Sequence, residues 1–143
     1  MNKKFFIAGI LGAIAYLIQG IAFGFLLLNK AYARFTNPGL SKGLDVDLRL
    51  IVISSLLISF LFVYVFSNWR ENINRKNGSI AGAVIFILAG GAFDIATYAS
   101  TNLYNSPLIV FYSAAGSVIG GAIVGGVIGW WLDRNKASNN INK

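Results

Sequence analysis

An all-α membrane protein, built as four transmembrane helices in one antiparallel bundle, is the architecture this sequence predicts. Three observations lead there. The 143 residues are 56% hydrophobic and only 12% charged, against roughly 45–50% and about 25% in ordinary soluble domains. Four apolar stretches approach or exceed the length of about 20 residues that a helix needs to cross a bilayer. Lys and Arg gather in alternate connections between those stretches, as in multi-pass proteins with a charge-set orientation. The absence of Cys excludes disulfides and thiolate metal sites. The absence of His removes the commonest metal ligand and the commonest catalytic base.

The first span is Phe5 to Leu28, with Gln19 as its one strongly polar residue. The opening MNKKFFIAGILGAIAY has the basic and apolar regions of a secretory leader and Ala13-Ile14-Ala15 as a cleavage motif. The apolar run continues to Leu28, too long for a leader's core, so a retained span is expected. The second span, Leu50 to Phe66, is short but dense in Leu, Ile, Val and Phe. The third runs from Ile80 to Ala99 and carries Asp94. An Asp at a helix centre costs about 2.5–3.5 kcal/mol of insertion energy. Ile80, Val84, Ile85, Phe86, Ile87, Leu88, Phe93 and Ile95 together return roughly 2.4–4.8 kcal/mol, so this span leans on its neighbours. The fourth is Leu108 to Leu132, and residues 133–143 form a polar cytoplasmic tail.

Lys3, Lys4, Arg70, Arg75, Lys76, Arg134, Lys136 and Lys143 fall on one side of this layout. Lys30, Arg34, Lys42 and Arg49 fall on the other. Eight against four places both termini in the cytoplasm of a cell (inner or plasma) membrane. Trp69, Trp130 and Trp131 lie at the inner interface, and Tyr32, Tyr104 and Tyr112 at the outer one, as interfacial aromatics do. The net charge of +7, which would suggest nucleic acid in a soluble protein, is thus topological. The expected partner is the lipid bilayer; no nucleic acid, cofactor or metal is expected.

In the outer connection, NKAYARF (29–35) suits a short helix at the headgroups, and NPG (37–39) signals a turn. Asp45 and Asp47 suit the N-terminus of the second span; calcium would need more oxygen ligands than they supply.

The last span reads GSVIGGAIVGGVIGWW. Gly121, Gly125 and Gly129 recur every four residues, as do Gly116 and Gly120, and residues four apart share a helix face. Small residues there let backbones approach closely. The face meets either the other spans or a second subunit. Gly12, Tyr16, Gly20 and Gly24 form a lesser version on the first span. A shift of 70 residues aligns ILGAIAYLIQGIAF (10–23) with IAGAVIFILAGGAF (80–93). That is either a parallel two-plus-two internal repeat, a device of transporters, or chance similarity between Gly/Ala/Ile-rich spans.

AGGAFDIATYAS (89–100) holds the only charge between Lys76 and Asp133. Ile87, Gly90, Gly91, Thr97, Tyr98 and Thr101 surround Asp94 on a helix face that is small or polar apart from Ile87, while Ile85, Leu88, Ala92, Ile95 and Ala99 lie opposite. The carboxyl is therefore expected inside the bundle, in its outer half, near Gln19 and Tyr16 of the first span, with Tyr98 and Thr97 beside it. Ser55, Ser59, Ser113 and Ser117 offer hydroxyls. No Lys or Arg lies deep in any span to pair with it. Such a group is either a functional centre or an interhelical hydrogen-bonding strut worth about 0.6 kcal/mol.

The span spacing, the glycine-rich first and last spans, and the polar third span with its Thr97-Tyr98 pair resemble small bacterial four-span integral membrane proteins of unknown function. Small multidrug-resistance exporters share the span count. Their essential carboxylate lies in the first span, where this sequence has Gln19, so that family is not adopted. Two functions follow. One is a structural or accessory protein acting through helix packing with itself, as a homo-oligomer, or with a larger membrane complex. The other is a small proton- or cation-linked transporter or channel with Asp94 as its titrating group. An enzyme is not expected, because one buried Asp and several Ser without His supply no carboxylate pair, serine–base pair or metal site.

Overall fold

The computed structural model describes residues 3–23, 29–40, 47–68 and 73–141, with side chains throughout except at 29, 31, 32 and 135–141. Gly24, the end of the first predicted span, Lys42, Asp45, Trp69, Arg70, Lys143 and the side chains of Tyr32 and Lys136 lie outside that description. Within it the chain is all helical: α1 (Lys3–Ile21), α2 (Asn29–Phe35), α3 (Leu48–Asn68), α4 (Arg75–Ser100) and α5 (Leu108–Ile141). Four helices are long and apolar enough to cross a membrane: Lys3–Ile21, Leu48–Asn68, Arg75–Ser100 and the Leu108–Arg134 part of α5.

The helix starts follow local chemistry. At α3 the Asp47 carboxylate accepts from the Arg49 N–H at 2.9 Å. At α4 the Asn74 side chain caps the Asn77 N–H at 2.9 Å. At α5, Ser106 accepts from the Leu108 N–H at 3.3 Å, and Pro107 stands where a missing N–H costs nothing. Each cap satisfies a backbone donor that the helix itself leaves without a partner. The Asn74 cap starts α4 five residues before the expected Ile80, which brings Gly78 into the helix. Beyond Leu132, α5 continues as helix to Ile141.

The burial pattern differs from that of a soluble bundle, because large apolar side chains face outward as well as inward. Leu57, Leu88, Phe93 and Phe111 face outward, and the buried residues of α4 are Gly78, Gly82 and Asp94. Such a surface suits lipid. There the association of spans rests on van der Waals contact and hydrogen bonds, because lipid tails are as apolar as Leu.

Helix α5 uses two adjacent faces. Val124, Ile128 and Leu132 enter the core with Ala8, Phe62, Val63, Phe66 and Ile73. Gly121, Gly125 and Gly129 press on α4, where a Cβ on Gly82 would fall on the carbonyl of Gly121, and one on Gly78 on the carbonyl of Gly125. Helix α1 packs on both α3 and α5. Gly9 lies under the Phe60 ring, and Gly12 meets Ser59 and Ile128. Ser59 donates to the Gly9 carbonyl at 2.7 Å, a buried hydrogen bond between α3 and α1. At the end of the bundle that carries the first residues, the Trp131 indole donates to the Lys4 carbonyl at 3.2 Å.

At the other end, two connections are tied together. Thr36 and Tyr104 form an antiparallel β-bridge. The Asn37 N–H donates to the Leu103 carbonyl and the Asn105 N–H to the Phe35 carbonyl, both at 2.9 Å. The Phe35 ring rests on Tyr112 of α5, with centroids 5.7 Å apart. Gly39, at φ 86°, takes the left-handed turn that NPG signalled.

Candidate functional site

The half of the bundle away from the first residues contains one feature that tight packing does not explain. Helices α3 and α4 do not form a packed pair, whereas α4–α5, α1–α3 and α1–α5 do. A cavity of about 310 Å³ occupies the gap, lined from all four spans. Its aromatic floor is Phe62 of α3 and Phe86 of α4, with ring centroids 5.2 Å apart. Tyr16 of α1 lies 5.7 Å from Phe86. Leu61 and Phe93 flank the opening, and both are exposed on the apolar surface of the bundle.

Asp94 lines this cavity and is 9% exposed. It stands two turns, about 12 Å of helix rise, beyond Phe86. Ser113 and Ser117 of α5, one turn apart, line it too. Gly90 leaves room for Ser117, whose Oγ would be 3.1 Å from a Cβ at that position. Among the described residues, no hydrogen bond or ion pair reaches the Asp94 carboxylate. No fully enclosed side-chain oxygen among the described residues lacks a partner, so the Asp94 oxygens are not sealed in, and the residue lines the cavity. The polar groups lining this otherwise apolar cleft are all oxygens: the Asp94 carboxylate, the hydroxyls of Ser113 and Ser117 and, at the Phe86 end, the Tyr16 phenol. Oxygens are the ligands that hard cations take. Among the described residues no three acidic, His or Cys side chains cluster as metal ligands.

Of the residues expected around Asp94, the structure brings Tyr16, Ser113 and Ser117 to the same cavity and places Gln19, Thr97, Tyr98, Ser55 and Ser59 outside its lining. The Gln19 amide lies against Gly120 of α5, within 3 Å of where a Cβ would stand. The reason is that α1 packs on α5 rather than on α4. Thr97 is outside the cavity lining, and its backbone carbonyl accepts from the Thr101 hydroxyl at 2.7 Å. Tyr98 is exposed. Ser55 turns its hydroxyl back to the Ile51 carbonyl at 2.7 Å, a common arrangement in apolar helices.

Gly116 and Gly120 are buried on α5, while Gly20 on α1 has nothing within 4 Å. Gly78 and Gly82, which receive the α5 glycines, are the residues the sequence reading missed. Their spacing of four was the available signal, hidden because the third span was started at Ile80. The chain matches no known family, no curated protein and no solved structure.

Proposed function

We propose that this chain is a small multi-pass protein of the cell membrane whose working centre is the Asp94 cavity, where a proton or a small cation binds. One observation carries this reading: a carboxylate within an apolar span, six residues before the end of α4, opens into a cavity and has no partner among the described residues. A strut would be hydrogen-bonded to another helix, as Ser59 is to Gly9. An unpaired polar group is expensive at this depth, and it persists where it serves a ligand or an ion path. The protein is then a proton- or cation-linked carrier or channel, not an enzyme.

The spans are taken to alternate in direction, with both termini cytoplasmic. The bond between Trp131 and Lys4 supports the alternation, since it joins the start of the first span to the end of the last; the cytoplasmic side rests on the eight-to-four charge bias. A two-plus-two repeat draws support from the matching α1–α3 and α4–α5 pairs, and none from the unpacked α3–α4 pair, which would have to mirror α1–α5.

The accessory role keeps one supporting feature, the open space beside Gly20, which a neighbouring helix could occupy. The α5 glycines no longer favour it, because α4 already covers them.

Proteoliposomes loaded with a pH-sensitive dye test the proposal under imposed proton, Na⁺ and K⁺ gradients. Wild-type protein is expected to speed dissipation of one gradient over empty vesicles, and Asp94→Asn to abolish that while folding normally. Wild-type vesicles indistinguishable from empty ones under all three gradients, or an Asn variant as active as wild type, would sink it.

A further inference from the structure

A second cavity, of about 560 Å³, lies on the outer surface of the α4–α5 pair. Its floor is small: Gly126 faces Ser79 closely enough that a Cβ would meet the Ser79 Oγ, and Ala122 continues the trough. Ile123 and Trp130, both exposed, form part of the walls. Arg75 closes one end. One turn beyond the lining residue Trp130, the Arg134 guanidinium lies over the Trp130 ring, 5.7 Å from the centroid.

The dimensions match one leaflet of a bilayer. From Val118 to Trp130 the groove follows twelve residues of α5, about 18 Å of rise. Half of a hydrocarbon core is about 15 Å. Trp130 marks the interfacial end, as amphipathic aromatics do, and Val118 lies near the middle of the span. The charge is one-sided. Among the described residues, Lys3, Lys4, Arg75, Lys76 and Arg134 stand at this end against the single carboxylate of Asp133. A second copy docked here in the same orientation would bring two such cationic ends together.

We propose that this groove binds an anionic phospholipid, one acyl chain lying in the trough over Ala122 and Gly126 and the headgroup phosphate held by Arg75 and Arg134. The site is separate from the Asp94 cavity and does not depend on what that cavity carries. Arginine suits the role because its planar fork pairs with phosphate oxygens through two hydrogen bonds. The groove makes the binding specific to one place on the helix surface, where a cationic collar alone would hold any anionic lipid loosely.

Native mass spectrometry of the full chain in detergent, with equal amounts of phosphatidylglycerol and phosphatidylcholine of one chain length, provides the test. Wild-type protein is expected to retain phosphatidylglycerol preferentially. Arg75→Gln and Arg134→Gln are each expected to lower that retention roughly fivefold and to leave phosphatidylcholine unchanged. Ala122→Phe, which fills the trough and keeps both cations, is expected to lower it too. Lys3→Gln with Lys4→Gln is expected to preserve it. Equal retention of the two lipids by wild type would overturn the site. So would an equal loss in the lysine variant, or an Ala122→Phe variant that keeps its lipid but changes oligomeric state, which would make the groove a subunit interface.

Discussion

Gly82 of α4 and Gly121 of α5 meet backbone to backbone, so that a Cβ on either would fall on the carbonyl oxygen of the other. The contact repeats one turn away between Gly78 and Gly125. No flexible side chain is available there to move aside. Gly82→Ala and Gly121→Ala are therefore expected to push α4 and α5 apart and to destabilise the fold by about 1–3 kcal/mol, the usual cost of overpacking. Thermal unfolding followed by helical circular dichroism in detergent measures this. A melting temperature unchanged in both variants would mean that the two helices do not approach this closely.

Gly20 provides the opposite case. It lies on α1 with nothing within 4 Å, so an added methyl group has space. Gly20→Ala removes the helix penalty of glycine, about 0.8–1.0 kcal/mol, and is expected to raise stability slightly in the isolated monomer. The same melting experiment reads it. A clear loss of stability, especially with a change of oligomer size, would show that a second chain occupies that space and would favour the accessory role.

The orientation is open to a direct test because the chain has no Cys of its own. Leu40 and Lys76 are both exposed, at opposite ends of the bundle. Leu40→Cys is expected to react with a membrane-impermeant thiol reagent in intact cells, and Lys76→Cys only after lysis. The reverse pattern would invert the charge-based orientation and put the phospholipid groove in the outer leaflet.

Much of the architecture was legible because lipid imposes a simple rule: long apolar runs must be helices. The four spans, the turn at Gly39 and the cap at Asp47 follow from that rule and from local turn chemistry. Asp94 was legible as an inward-facing group because its own helix carries a small and polar stripe. What each face meets was not legible, because it depends on rotations between helices that no single span encodes. Gln19 could as well have faced α4; it faces Gly120 because α1 settles against α5. Gly78 was overlooked because hydropathy begins the span at Ile80, whereas the Asn74 cap begins the helix earlier. The tie between Thr36 and Tyr104 joins residues 68 positions apart in polar connections, where no periodicity exists to be read.

The two accounts of Asp94 separate most clearly at Asp94→Leu. A strut lost to Leu strands its partner and costs stability, about 1–3 kcal/mol for a buried polar group left unpaired. A carboxylate held for a ligand has no protein partner to strand, and none of the described residues bonds to Asp94. Leu at that position also removes the insertion penalty of the Asp, up to about 2.5–3.5 kcal/mol at the centre of a span, and puts an apolar side chain into the cavity that Asp94 lines. Asp94→Leu is therefore expected to melt at a higher temperature than wild type, Asp94→Asn to melt close to it, and both to lose ion or proton flux. That combination, more stability with less activity, is the usual mark of a site that evolution keeps strained for function. A Leu variant that melts well below wild type would instead assign Asp94 a hydrogen-bonding partner and return it to a structural role.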